Sequence, residues 1–137
     1  MFDIADKIIE LRLLTRRVCM CENSEKGKNT MSLKTKILYL IDKAFTTKDI
    51  IATLGIAKTN LALITTSLAN DGLITKTQKS RDKREKSYAL TVKGMDYLDE
   101  RKDVINNAFK NVLTNEDDFD NAVEKFDEIL KLLSFVG

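Results

Sequence analysis

Ser80-Arg81-Asp82-Lys83-Arg84 sets three cations around one carboxylate, with Lys79 and Lys86 close on either side. Cations at this density attract a polyanion, and the commonest polyanion for a small basic loop is a nucleic-acid backbone. Asp82 precedes Arg84 by two residues, so on an extended backbone both side chains project to the same side. The carboxylate can then hold the guanidinium ready to bind. The charge pattern along the chain agrees. Residues 73–94 carry seven basic and two acidic groups, whereas residues 114–137 carry two and seven, within a net charge of only +2. The competing reading of the loop is a solvated turn with no partner.

Other chemistry is sparse. The chain has no histidine, which removes the commonest general base, the commonest neutral metal ligand and every Ser/His or Cys/His arrangement. No Gly-rich phosphate loop or cluster of metal ligands is present, so an enzyme is not expected and neither is a cofactor. Cys19 and Cys21 are too few for a disulfide framework. Two residues apart on a helix, they face different ways and cannot complete a zinc site. They read as small apolar residues. Tyr39, Tyr88 and Tyr97 read as core or pocket-lining residues.

The elements that must position the basic loop follow from periodicity. At 137 residues, 43% of them hydrophobic, the chain is one domain's worth, 1–137. No apolar run approaches the roughly 18 to 20 residues of a membrane span. A start containing Asp3 and Asp6 lacks a signal peptide's blocks, so a cytoplasmic protein without membrane association is expected. Ile4, Ile8, Leu11 and Val18 predict a helix from Phe2 to about Met20. Glu22 to Asn29 reads as a loop. Ser32 caps a second helix with Leu33, Ile37, Leu40, Ile41 and Ala44 on its apolar face. Thr46 and Asp49 form a capping-box start for a third, which Gly55 ends in the left-handed conformation. Only Gly55 and Ile56 separate it from a fourth helix, from about Ala57 to Asp71, stopped by Gly72. Two helices so joined make a helix-turn-helix. Leu61, Ile64, Thr65 and Leu68 form the buried face of the second one; Thr59, Ala62, Leu63, Thr66 and Asn70 point outward, with Lys58, Asn60 and Ser67 on the flanks.

Leu73 to Gln78 and Lys86 to Leu90 predict two short strands bracketing the basic loop. Thr91 caps a long helix with Met95, Leu98, Ile105, Phe109, Val112 and Leu113 on its apolar side. Thr114 and Asp117 suggest a capping box for the last helix, whose apolar face carries Phe119, Val123, Phe126, Ile129, Leu130 and Leu133 and whose first turn holds Glu116, Asp117 and Asp118. The expected fold class is mostly α (α+β), a winged helix-turn-helix with a two-stranded wing. Its DNA-binding lobe is 31–91, and helices at 1–22 and 92–137 exceed what that lobe's core needs, so two-fold dimerisation is a natural use for them. Expected contacts to double-stranded DNA come from Lys58, Thr59, Asn60, Leu63, Thr66 and Ser67 on the helix and from Lys79, Arg81, Asp82, Lys83 and Arg84 on the wing.

This order of elements, with Leu54-Gly55-Ile56-Ala57-Lys58 through Asp71-Gly72-Leu73-Ile74 and the wing Asp82-Lys83-Arg84 before Leu90-Thr91-Val92-Lys93-Gly94, resembles the multiple-antibiotic-resistance regulator (MarR) family over nearly the whole chain. The resemblance implies a homodimeric transcription factor, usually a repressor. It implies dimerising terminal helices and often a ligand pocket near the junction with the DNA-binding lobe, which makes a small-molecule effector a candidate partner. It also implies that Arg84 enters the minor groove with Asp82 orienting it. Some members sense peroxide through a cysteine near the start of the first helix. Cys19 lies near its end, so that role transfers poorly.

Two positions depart from the pattern. Ala57 stands where the recognition helix commonly begins with a capping serine; Thr59 could cap instead, starting the helix later. Ala62-Leu63 stands where a threonine and an arginine are common. Arginine is the usual bidentate reader of guanine, whereas alanine and leucine can touch only a thymine methyl, and Asn60 favours adenine. The expected operator is an A·T-rich pseudo-palindrome read by Asn60, Leu63 and Thr66 in the major groove and by Arg84 in a narrow minor groove. Exposed Leu63 on a weakly basic helix also fits a competing function, a winged-helix protein-interaction module without specific DNA binding.

Overall fold

A computed structural model describes residues 4–21, 32–77 and 87–136, with the side chains of all but 17–21. Among these are six helices and two strands: α1 (Ile4–Cys21), α2 (Leu33–Asp42), α3 (Thr47–Leu54), α4 (Lys58–Asn70), β1 (Ile74–Thr77), β2 (Ser87–Leu90), α5 (Val92–Lys110) and α6 (Glu116–Ser134). This is the expected winged helix-turn-helix with flanking helices. The chain divides into two compact units, Met1–Ile105 and Asn106–Gly137. The Glu22–Asn29 loop and the side chains of Cys19 and Cys21 lie outside the described residues.

In the first unit, α2, α3, α4, α5 and the hairpin close over one core. Ser32 caps α2 by accepting from Thr35 N at 3.3 Å. Ile37, Leu40 and Ile41 are buried as their spacing requires, and Leu38, not expected there, is fully buried beside them. Five consecutive helical positions of which four are enclosed mark a helix wrapped on more than one side, and each such side chain contributes roughly 1.5–3 kcal/mol. Ala44 does not continue the stripe. α2 stops at Asp42, and Ala44 turns the chain in a left-handed conformation, φ 64, while Phe45 N donates to Leu40 O at 3.0 Å. That bond satisfies a terminal carbonyl of α2. Ile50 of α3, Leu61 and Leu68 of α4, and Leu73, Ile74 and Leu98 complete the core.

The strands pair antiparallel with Ile74 opposite Leu90, Thr75 opposite Ala89, Lys76 opposite Tyr88 and Thr77 opposite Ser87. Leu73 is buried but precedes β1. Thr91 caps α5, accepting from Gly94 N at 3.0 Å. On α5 Leu98 is buried and Ile105 half-buried, but Met95 is 49% exposed, and Val112 lies past the helix end at Lys110 and is exposed.

The second unit holds the end of α5 and all of α6. Asn115 caps α6, its Oδ1 accepting from Asp118 N at 2.9 Å. The Thr114–Asp117 box does not form, because asparagine, a better cap than threonine, takes the extended conformation one residue later. Glu116, Asp117 and Asp118 fill the first turn as expected. Phe109 and Phe126 meet edge to face, ring centroids 6.5 Å apart. No residue of α6 is buried.

Candidate nucleic-acid interface

Local sequence fixes the helix-turn-helix. The Thr46–Asp49 capping box forms in both directions, Asp49 N donating to Thr46 Oγ1 at 3.2 Å and Thr46 N to Asp49 Oδ2 at 3.4 Å. Gly55 ends α3 in the left-handed region, φ 65, where a side chain would be strained. Ala57 is the N-cap of α4, extended at φ −70, ψ 145, and supplies no side-chain bond. Leu61 N donates to Ala57 O at 3.1 Å, which starts the helix there and leaves Thr59 inside its first turn. The substitute cap expected of Thr59 is therefore not used. A helix needs a side-chain cap less when its buried face already anchors it, and Leu61, Thr65 and Leu68 are each at most 3% exposed.

The opposite face of α4 is open. Lys58, Thr59, Asn60, Ala62, Leu63, Thr66, Ser67 and Asn70 are all exposed, Leu63 by 72%. The structure thus brings the helical half of the expected site onto one continuous surface. Leu63 is a large apolar side chain with no neighbour to hide it, centred among polar ones. Thr66 Oγ1 donates to Ala62 O at 2.8 Å, which turns its hydroxyl into an acceptor towards any ligand. Lys79, Arg81, Asp82, Lys83 and Arg84, the wing half, lie outside the described residues; in sequence they fall between Thr77 and Ser87, the last described pair of the hairpin.

A cavity of about 320 Å³ in the first unit is lined by Lys36, Tyr39, Leu54, Leu98, Arg101 and Lys102 among others. Its lining is apolar, the lysines and Arg101 contributing their aliphatic stems. Arg101 Nε is buried without a hydrogen-bond partner, although the same guanidinium lies 5.3 Å from the Tyr97 ring centroid and its Nη2 lies 3.4 Å from Glu100 Oε1. Tyr39 lines this cavity, as one of the expected roles for the tyrosines had it. Lys36, Arg101 and Lys102 carry no motif and were not singled out by the sequence. Among the described residues, no group of three or more Cys, Asp or Glu could hold a metal ion, and no single helix is long and apolar enough to cross a membrane.

Residues 36–94 match the family model described as winged helix DNA-binding domain. No curated protein sequence matches. Among solved structures, wild-type MarR from E. coli in its apo form is 15% identical with a TM-score of 0.67, over 97% of this chain and 98% of that one. NadR in complex with 4-hydroxyphenylacetate is 17% identical with a TM-score of 0.70, over 100% and 96%. This is the MarR fold. It extends across the whole of the chain, as the resemblance in its sequence implied. A third example, the S. aureus MepR–DNA complex, is 12% identical with a TM-score of 0.57, over 96% and 98%. In the MarR fold the match to the winged-helix model covers α2 to the start of α5 and so contains α4 and both strands.

Proposed function

We propose that this chain is a MarR-family transcription regulator, not an enzyme, that binds double-stranded DNA as a homodimer, acting as a repressor in the cytoplasm. The observation that carries this reading is the uninterrupted exposed face of α4, set on a winged-helix domain whose sequence next to it is the most basic part of the chain. Lys58, Asn60, Leu63, Thr66 and Ser67 read the major groove, and Arg84, oriented by Asp82, reaches the minor groove with Lys79, Arg81 and Lys83 on phosphates. Leucine at position 63 and asparagine at position 60 favour thymine and adenine, hence an A·T-rich pseudo-palindrome. The DNA complex of MepR, a protein of the same fold, supports this use of the fold.

Dimerisation is supported by apolar surface on the terminal helices. Ile4, Ile8, Ile9, Leu13 and Leu14 of α1 are all at least 41% exposed, and on α6 Val123, Phe126, Ile129, Leu130 and Leu133 are each at least 37% exposed. A stripe of that length on an amphipathic helix marks an interaction surface. The cavity under Tyr39, with its apolar lining, supports an effector with an apolar body. NadR with 4-hydroxyphenylacetate shows such a compound on the same fold.

The test is selection of bound sequences from random duplex DNA with the mass of the complex recorded. The expected result is an A·T-rich inverted repeat carrying two chains. G·C-dominated half-sites would overturn the base preference, and a single chain per site would overturn the dimer. The exposure of Leu63 favours one other reading, a protein-interaction module. Duplex binding that weakens steeply with salt argues against that module, because salt acts through the release of counterions from phosphates.

A further inference from the structure

The end of α4 that faces away from its cap is fastened to the start of α5. Thr91 Oγ1 donates to Gly72 O at 2.6 Å, and Thr91 N donates to Leu73 O at 3.0 Å. Lys93 Nζ donates to Asp71 O at 2.9 Å, and Asp71 is the C-cap of α4. Gly94 N returns a bond to Thr91 Oγ1 at 3.0 Å. The two backbones touch so closely that a Cβ on Gly94 would fall 2.0 Å from Leu73 O. The last carbonyls of a helix lack donors of their own and carry the negative end of its dipole. Here Gly72 N and Leu73 N donate to Ala69 O and Leu68 O, and Lys93, 22 positions beyond Asp71, supplies the donor and the cation at Asp71 O.

These bonds close a loop. The chain leaves α4 at Asp71, runs out along β1, returns along β2 and meets its own departure point at Thr91. Two elements leave that point, the recognition helix in one direction and the root of the hairpin in the other. Their relative orientation is set by Gly72 and Leu73, whose amides bond back to Ala69 O and Leu68 O of α4 but whose carbonyls have no donor on α4 in the described residues. Thr91 and Lys93 anchor it from α5.

We propose that Thr91 and Lys93 are positioning residues for DNA reading, a bolt that holds α4 and the hairpin root in one fixed arrangement so that helix and wing meet the same site together. The proposal rests on the DNA-binding reading above and adds the means by which its two halves stay in register. Neither residue belongs to the exposed reading face of α4. Thr91 bears no charge, and Lys93 spends its ammonium on a protein carbonyl. Both therefore act through geometry, and a loosened bolt costs discrimination between sequences before it costs attraction to phosphate.

The experiment compares the full chain with Thr91→Val, Thr91→Ser, Lys93→Met and Lys93→Arg. Each is titrated with the duplex recovered by selection and with a scrambled duplex at several salt concentrations. Amide hydrogen exchange of the free protein is recorded alongside. Losing one such bond corresponds to about three- to tenfold weaker binding of the selected duplex. Thr91→Val and Lys93→Met should lose that factor on the selected duplex but not on the scrambled one, with the salt slope unchanged. Thr91→Ser and Lys93→Arg should restore it. The amides of Gly72 and Leu73, which bond to Ala69 O and Leu68 O, should exchange faster in Thr91→Val while those of α2 do not.

Equal discrimination by Thr91→Val and the parent, or exchange at Gly72 and Leu73 that does not change, overturns the bolt. A Lys93→Met variant that weakens both duplexes alike and flattens the salt slope by about one counterion overturns the role of Lys93, showing it to be a phosphate contact. A parent that selects no duplex overturns the DNA-binding reading and the proposal with it. A parent that selects one which Thr91→Val binds equally well overturns the proposal alone.

Discussion

Gly94→Ala reverses the usual sign of a helical Gly→Ala change. Inside a helix that replacement ordinarily stabilises by about 0.5–1 kcal/mol, because glycine has more backbone freedom to lose. At Gly94 the new methyl would lie 2.0 Å from Leu73 O and 3.0 Å from its carbonyl carbon. Ordinary contact begins at 3.4 Å, so α5 and the chain entering β1 must part by more than an ångström. Overpacking of this kind costs about 1–3 kcal/mol. Separation also strains the bonds from Thr91 N to Leu73 O and from Thr91 Oγ1 to Gly72 O, each worth about 0.5–1.5 kcal/mol net. Less the helical gain, the net destabilisation is about 1–5 kcal/mol, a fall of roughly 0.5–2.5 M in the urea midpoint for a domain of this size. Tyrosine fluorescence is a clean readout, because the chain has no tryptophan and Tyr39, Tyr88 and Tyr97 all belong to the first unit. Gly55→Ala is the control: nothing lies within 4 Å of its Cβ position, so only the left-handed backbone at φ 65 is penalised, by about 1–2 kcal/mol. A midpoint for Gly94→Ala equal to or above the parent's would refute the close approach.

Ala57→Ser should stabilise the first unit by about 0.5–1 kcal/mol in the same titration, since Ala57 already has the extended backbone of a cap and lacks only the oxygen. Asn115→Ala should lower the helical circular-dichroism signal and cost about 1 kcal/mol, whereas Thr114→Ala should change little, because only Asn115 bonds the start of α6. Leu63→Arg should move the selected half-site towards guanine by about 1–3 kcal/mol of discrimination at one base pair, read by repeating the selection. An unchanged half-site would mean that position 63 does not reach the bases.

Short-range signals carried most of the architecture. Thr46 with Asp49, Ser32 and Gly55 each act within three or four residues, and each sits where its chemistry requires. Strand-forming Ile, Thr and Tyr on either side of the basic loop located the hairpin, and helical spacing located the buried face of α4, where Leu61, Thr65 and Leu68 face the core. The misses arise where two local solutions compete. Asn115 and Thr114 both offer a cap, and only the course of the chain decides between them. Ala44 fits the apolar stripe of α2 by spacing, yet it turns the chain in the left-handed conformation, which its residue type does not announce. The cavity under Tyr39 was not legible for a different reason. Lys36, Arg101 and Lys102 come from two helices more than fifty residues apart, and no spacing rule joins them.

The exposed face of α4 has no arginine, and its centre offers few hydrogen-bond donors. Thr66 gives its proton to Ala62 O, Leu63 has none, and Ala62 offers only a methyl. The remaining side-chain donors on the face are those of Lys58, Thr59, Asn60, Ser67 and Asn70. Apolar contact with a thymine methyl discriminates weakly in angle but strongly in distance, since dispersion fades within an ångström of ideal separation. A helix that reads by contact rather than by bidentate bonds depends more on how accurately it is placed than on the strength of any one interaction. If α4 reads DNA as proposed, that is the physical argument for locating specificity partly outside the face itself, in Thr91 and Lys93, which tie the far end of α4 to the start of α5.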